Sequence, residues 1–330
     1  MELKKRKEEF DILKAIGMLS IIIGHLGITS ISNIAYVFHV PLFFWVSGYF
    51  FKSRQKLFTK RHTVLLKVYL FTAVLILAIK ILIAIMINTQ SVLNVIEKGF
   101  VAILYGSGNI NNQIFGYAIP CVGAIWFLLA LFWTDIIYFE ICRHIDNKFY
   151  KFLITFFLFL IGIFTSSQWL PFSIQSGLIG VFFVYLGDEF KESGIKYSTP
   201  NRFIFISIIM SLLGLWGSFR YGHLSCSTGE FPCVFVNVLG ACSTTYLLLY
   251  FSRKISKYKI AKYVSFYGQN TIIVLSFHLM ELELVPWTFF MSIFPNHILG
   301  RLVQIFLKIV WSILGIYIVK KFAMLKYIYS

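Results

Sequence analysis

The chain has 330 residues, 58% of them hydrophobic, 18% aromatic and only 13% charged. A soluble domain of this length carries roughly twice that charge, so soluble globular, disordered and small disulfide-scaffold classes are excluded. The formal net charge of +16 would suit a nucleic-acid partner, but its placement along the chain reads as a membrane-topology signal instead.

Apolar residues cluster in runs of about 17–24, the length that crosses a hydrocarbon core of roughly 30 Å. Spans are predicted over 11–29, 34–51, 64–87, 123–142, 150–166, 173–190, 202–219, 234–252, 267–285 and 299–319. With the N-terminus inside, the cytoplasmic segments gather most of the 30 Lys and Arg, in clusters at 4–7, 52–61, 143–151, 191–202, 253–262 and 320–326. The outer segments hold only Lys98, Arg220 and Arg301. Basic residues are retained on the cytoplasmic side. The expectation is an all-α, polytopic transmembrane bundle of about ten helices in the inner or plasma membrane, a single domain over 1–330 with both termini cytoplasmic.

The basic start Met1–Lys7 has the look of a signal-peptide n-region. The helix after it holds Asp11, Lys14 and His25 and lacks a small-residue cleavage site, so it is read as a retained span. Ionisable groups inside spans are costly and mark function by default. Lys14 and His25 are eleven residues apart, about three turns plus 20°, which puts them on one face about 16 Å apart along the axis. Asp11 lies one turn from Lys14, within ion-pair reach. Snorkelling to the headgroups is the structural alternative for Lys14.

The second helix begins Phe38-His39-Val40-Pro41. The short connection Ser30–Asn33 makes it antiparallel to the first, so that His39 and His25 can meet. Pro41 cannot bond the carbonyl of Val37 and is predicted to kink the helix beside His39. Hydrogen bonding between helices is the alternative role for a membrane histidine. The segment Asn88–Gly123 follows the third span. Its amphipathic stretch Val92–Tyr105 and polar, flexible run Gly106–Gln113 read either as a cover over a substrate entrance or as a helix on the membrane surface.

Further along, Asp135 and Lys308 are read as a pair across helices, and the runs Phe156–Phe159 and Phe182-Phe183 as packing or lipid-facing surface. Cys226 and Cys233 share a predicted outer loop where a disulfide can persist; no spacing suits a metal. In the ninth span His278 has Glu281 and Glu283 above it, a cluster that either ties helices together or takes part in chemistry.

Several of these segments resemble the signatures of the bacterial membrane acyltransferase family 3. Phe10-Asp11-Ile12-Leu13-Lys14-Ala15-Ile16-Gly17 followed by His25 is similar to its first-helix motif. Phe38-His39-Val40-Pro41-Leu42-Phe43-Phe44 with Ser47-Gly48-Tyr49 resembles its second, and Trp126-Phe127-Leu128 its WFL element. Gly268-Gln269-Asn270-Thr271 with His278 resembles its late motif. Lys60-Arg61 is present, with Val64 where a second Arg is expected. No appended esterase-like domain is expected.

The resemblance implies transfer of an acyl group, most often acetyl, from cytoplasmic acyl-CoA to hydroxyls of extracytoplasmic or lipid-linked cell-surface glycans. No bound cofactor or metal is implied. A neutral imidazole, with a reference pKa of about 6.5, can take the proton of an attacking hydroxyl. His25 is therefore expected to be general base, or alternatively nucleophile through an acyl-imidazole. His39 is expected to orient it or donate to the oxyanion, and Lys14, aided by Arg61, to hold the CoA phosphates with Asp11 fixing its position, with His278 and Trp126 as further candidates. A transporter or glycan exporter is the rival reading. It predicts broken helices at corresponding positions of two halves, and no half-repeat is visible.

Overall fold

A computed structural model describes residues 7–51, 55–88, 91–194 and 201–330. Lys4, Lys5, Arg6, Lys52, Arg54 and Lys196 of the basic clusters lie outside the described residues. Helix α1 (Glu8–Gly24) opens with Glu8, Glu9 and Asp11, carboxylates that favour the positive end of a helix dipole. It ends at His25, just before Gly27 at φ +73°. The chain then forms α2 (Thr29–Ala35), breaks over Tyr36–Phe38 and resumes as α3 (His39–Tyr49).

Two expectations shift here. The connection read as Ser30–Asn33 is helical, and the kink lies one turn upstream of Pro41. Pro41 is the third residue of α3, where a backbone N–H has no intrahelical partner to lose. His39 thereby becomes the first residue of α3, directly after the break.

Helix α4 (Gln55–Ile87) has 33 residues, about 50 Å at 1.5 Å per residue. It overruns a hydrocarbon core of about 30 Å, so its Lys60-Arg61-His62 stretch falls at one end. The amphipathic stretch is a helix as read, α5 (Val92–Tyr105), lying against α4. The polar run after it is held rather than free. Asn112 Nδ2 donates to Ser107 Oγ at 2.7 Å and Val122 N to the Ser107 carbonyl at 2.8 Å. A hairpin follows, with β1 (Gln113–Ile114) antiparallel to β2 (Tyr117–Ala118).

Next come α6 (Trp126–His144), α7 (Lys148–Phe164), α8 (Ile174–Glu192), α9 (Asn201–Tyr221) and α10 (Val234–Ile255). The Asn147 side chain caps α7, accepting from the N–H groups of Phe149 and Tyr150. The expected ninth span is interrupted. Asn270, at φ −114° and ψ 25°, separates α11 (Ala261–Gln269) from α12 (Thr271–Leu284). The chain closes with α13 (Trp287–Ser292), α14 (His297–Lys321) and α15 (Ala323–Ile328).

Five segments are long and apolar enough to cross a membrane: Thr29–Tyr49, Thr59–Ile87, Asn201–Tyr221, Val234–Ile255 and His297–Lys321. Helices also occupy the other five expected spans. Burial is inverted relative to a soluble protein. Asp11, Asp135, Glu281 and Lys308 are no more than 3% exposed, whereas Met86, Phe205 and Phe306 are 84%, 64% and 64% exposed. Contiguous apolar surface of this kind belongs against lipid.

Helix α1 packs on α10, α11 and α3, and α8 on α3, α6 and α7. Glycines set these approaches. A Cβ at Gly48 or Gly187 would run into the carbonyl of Val184 or Trp45 across the α3–α8 contact, and one at Gly268 into the carbonyl of Asp11 across α1–α11.

Two pairings expected from sequence are replaced. Asp135 faces Arg61 instead of Lys308, because α6 packs on α4, while Lys308 on α14 faces Glu281 on α12. Cys226 and Cys233 are both free thiols.

Candidate active site

A cavity of about 890 Å³ runs through the bundle between α1, α3, α4, α6 and α12. At one end it is cationic, lined by Lys14, Lys60 and Arg61, and at the other it is lined by residues of the 106–124 and 222–230 loops. His25 and His39 line it between these ends.

The cationic end is assembled from four helices, α1, α3, α4 and α6. Lys14 Nζ lies 2.8 Å from Asp11 Oδ1, the one-turn pairing read from the sequence. Arg61 is held on two sides: its Nε is 2.9 Å from Asp135 Oδ2, and its Nη2 donates to Ser47 Oγ at 2.9 Å. Ser47 Oγ in turn donates to Asp135 Oδ1 at 3.0 Å. The Ser47-Gly48-Tyr49 motif thus has a physical content. Ser47 ties Arg61 to Asp135, Gly48 admits α8, and the Tyr49 hydroxyl accepts from Lys7 Nζ at 2.7 Å. The guanidinium fork can serve carboxylate and hydroxyl together, which an ammonium cannot reproduce.

In the middle, the last turn of α1 sets the His25 ring. Its Nδ1–H donates to the Ile21 carbonyl at 2.7 Å, so in the neutral ring Nε2 carries the lone pair. His39 is held the same way by the Ala35 carbonyl at 2.8 Å. The two histidines share the cavity but are linked through Tyr36, whose ring centroid lies 6.3 Å from His25 and 4.4 Å from His39. The imidazole in edge contact with His25 is that of His278, at 5.3 Å. His278 Nδ1 donates to Glu281 Oε1 at 2.7 Å, and Glu281 takes Lys308 Nζ at 2.6 and 2.8 Å.

At the far end, Trp126 starts α6 with its indole packed over Gly108, where a Cβ would clash with the ring. His223 sits against Tyr36 at 4.4 Å and bonds Asn33 Oδ1 at 3.2 Å. Burial pushes its imidazole below the usual histidine range. Glu283 is neutralised by Lys80 at 2.5 Å.

The family model described as an acyltransferase domain, that of the acyltransferase 3 family, matches residues 7–321, nearly the full length. The chain belongs to the acyltransferase 3 family. No curated protein and no solved structure matches it. It is therefore a membrane acyltransferase, and each candidate residue of its family motifs except His278 and Asp11 lines this cavity. Those two stand behind the wall, Asp11 paired with Lys14 and His278 in ring contact with His25.

Four further residues of this acyltransferase site escaped the sequence reading in the roles they hold. Asp135 and Glu281 were visible as costly intramembrane charges, but a partner on another helix cannot be read from spacing along one. Tyr36 is one of 18 tyrosines, and His223 is a loop histidine. Neither carries a local signal.

Proposed function

We propose that this acyltransferase moves an acyl group, acetyl in the simplest case, from cytoplasmic acyl-CoA to a hydroxyl of an extracytoplasmic or lipid-linked cell-surface polysaccharide. On this reading it crosses the inner or plasma membrane about ten times with both termini inside. The observation that carries it is the cavity whose cationic end (Lys14, Lys60, Arg61) and loop-lined end are joined past His25. An anionic CoA phosphate group suits the first end, since Arg and Lys bind phosphate by charge-assisted bonds. Trp126 and Asn109, an aromatic face beside an amide, suit a sugar at the second.

His25 is the general base. Its Nε2 takes the acceptor proton as the hydroxyl oxygen attacks the thioester carbonyl. The carbon–sulfur bond then breaks, and the imidazolium returns the proton to the departing CoA sulfur, so His25 ends neutral. His39 has its Nδ1–H committed to Ala35, and in the neutral ring offers only the Nε2 lone pair. It therefore suits holding the acceptor hydroxyl better than donating to the oxyanion. The Tyr36 O–H, in the same cluster, is a donor for that task.

The test is mass spectrometry of surface glycans from cells carrying the protein, lacking it, or carrying His25→Ala. The acetyl mass increment should be present only with the wild type, while membrane insertion of the variant is normal. Full acetylation by the inserted His25→Ala variant would overturn the assignment.

A further inference from the structure

The buried cluster behind His25 has no part in the steps above. Glu281 on α12 accepts from Lys308, His278 and the Trp287 indole together. His278, Glu281 and Lys308 are only 1–2% exposed, and none of them lines the cavity. A buried ion pair is a weak source of stability compared with apolar residues of the same size. Its presence calls for another role.

The remaining valence of the cluster points to one. With Nδ1–H given to Glu281, His278 presents Nε2 as a lone pair. That atom is buried and has no hydrogen-bond partner among the described residues, an arrangement that costs about 1–3 kcal/mol when left unmade. The ring it meets edge to face is His25.

We propose that His278, oriented by Glu281 and Lys308, is a positioning residue that stabilises His25 while His25 carries the acceptor's proton. This rests on the reading of His25 as base. The proton goes from the acceptor hydroxyl to His25 Nε2 and on to the CoA sulfur, and it never leaves His25 for His278. The His278 lone pair, backed by the Glu281 carboxylate, stabilises the transient imidazolium beside it.

The other elements packed on α12 add little charge to the site. α14 brings Lys308, balanced by Glu281, and Arg301, which bonds Gln304 at 3.0 Å. α4 brings Lys80, balanced by Glu283, and α1 brings His25 itself. His25 is thus the group whose charge changes during the reaction.

The experiment uses the full chain in two forms. In lipid nanodiscs with 15N-labelled histidine, the His25 and His278 Nε2 signals should move with one common midpoint as pH is varied. In His278→Gln the His25 midpoint should move to lower pH, since the lone pair that stabilises its imidazolium is gone. In membrane vesicles given radiolabelled acetyl-CoA, His278→Gln should lower the transfer rate about 10²-fold, the low end for acid–base assistance, with KM for acetyl-CoA unchanged.

The double variant Glu281→Gln/Lys308→Met removes the ion pair as a neutral unit and keeps an acceptor for His278 Nδ1, which guards against a folding defect in the single variant. It should slow transfer with the same unchanged KM. Independent titration of the two rings, or wild-type rates in both folded variants, would overturn the proposal. If His25→Ala itself stays active, it is the reading of His25 that fails. An inactive His25→Ala beside a fully active His278→Gln removes only the role given to His278.

Discussion

Arg61 reaches two partners at once, Asp135 through Nε and Ser47 through Nη2, and this geometry decides how it responds to substitution. Removing one member of a fully buried pair costs about 3–5 kcal/mol. Arg61 is 38% exposed at its side chain, so water recovers part of the loss and the expected cost of Asp135→Asn is nearer 1–2 kcal/mol, between the buried and the exposed cases. Its larger effect should be on donor binding. With its anchor weakened, the guanidinium is no longer preorganised, and KM for acyl-CoA should rise about 10-fold, some 1.4 kcal/mol. Kinetics and a thermal melt of the purified variant check both numbers. An unchanged KM would mean that Arg61 does not touch the donor. The same residues measure what a sequence conveys at this scale. Lys14, Asp11 and His25 lie on one helix, and their shared stripe followed from 3.6 residues per turn. The His278–Glu281 cluster was likewise legible along one helix, whereas Arg61 for Asp135 and Glu281 for Lys308 lie on other helices, and the Asp135–Lys308 pairing expected from sequence was wrong for that reason.

At the scale of elements, the contact between α1 and α11 is set by Gly268. A side chain there has no room, because its Cβ would fall on the Asp11 carbonyl with the Ala15 nitrogen 3.0 Å away. Those are backbone atoms and cannot rotate aside. Gly268→Ala should therefore cost about 1–3 kcal/mol, the usual price of overpacking, and disturb the turn of α1 that carries the Asp11–Lys14 pair. A thermal melt with detergent-solubilised protein measures it, and a variant as stable as wild type would show that α11 yields easily. Pro41 gives the opposite expectation. It stands in the first turn of α3, downstream of the break at Tyr36–Phe38, so Pro41→Ala removes no constraint that shapes the helix. Pro41 is buried, so the truncation should cost about 1–2 kcal/mol in lost packing while circular dichroism shows the helical content unchanged. A loss of helical signal would return the break to the proline. Element positions were legible because apolar run length and turn residues are local. The breaks at Tyr36–Phe38 and Asn270 were not, since they depend on what α1 and its neighbours leave room for.

For the whole molecule, the proposed function is inseparable from direction: an acyl-CoA donor requires the cationic end of the cavity to open where acyl-CoA is made. The sequence supports one orientation through the asymmetry of Lys and Arg between alternate loops. The fold then places the cationic cavity end at the N-terminal half of α1 and the loop-lined end beyond its C-terminus. On the proposed function the two point the same way, toward an N-terminus that is inside. The agreement can be broken by labelling. Ile110 and Tyr258 are 74% and 68% exposed and lie in segments on opposite sides in this orientation. In a background lacking the five native cysteines, Ile110→Cys should react with a membrane-impermeant maleimide in intact cells. Tyr258→Cys should react only after the cells are opened. The reverse pattern would put the cationic end outside, away from acyl-CoA, and a donor for this acyltransferase would have to be sought among extracytoplasmic acyl carriers.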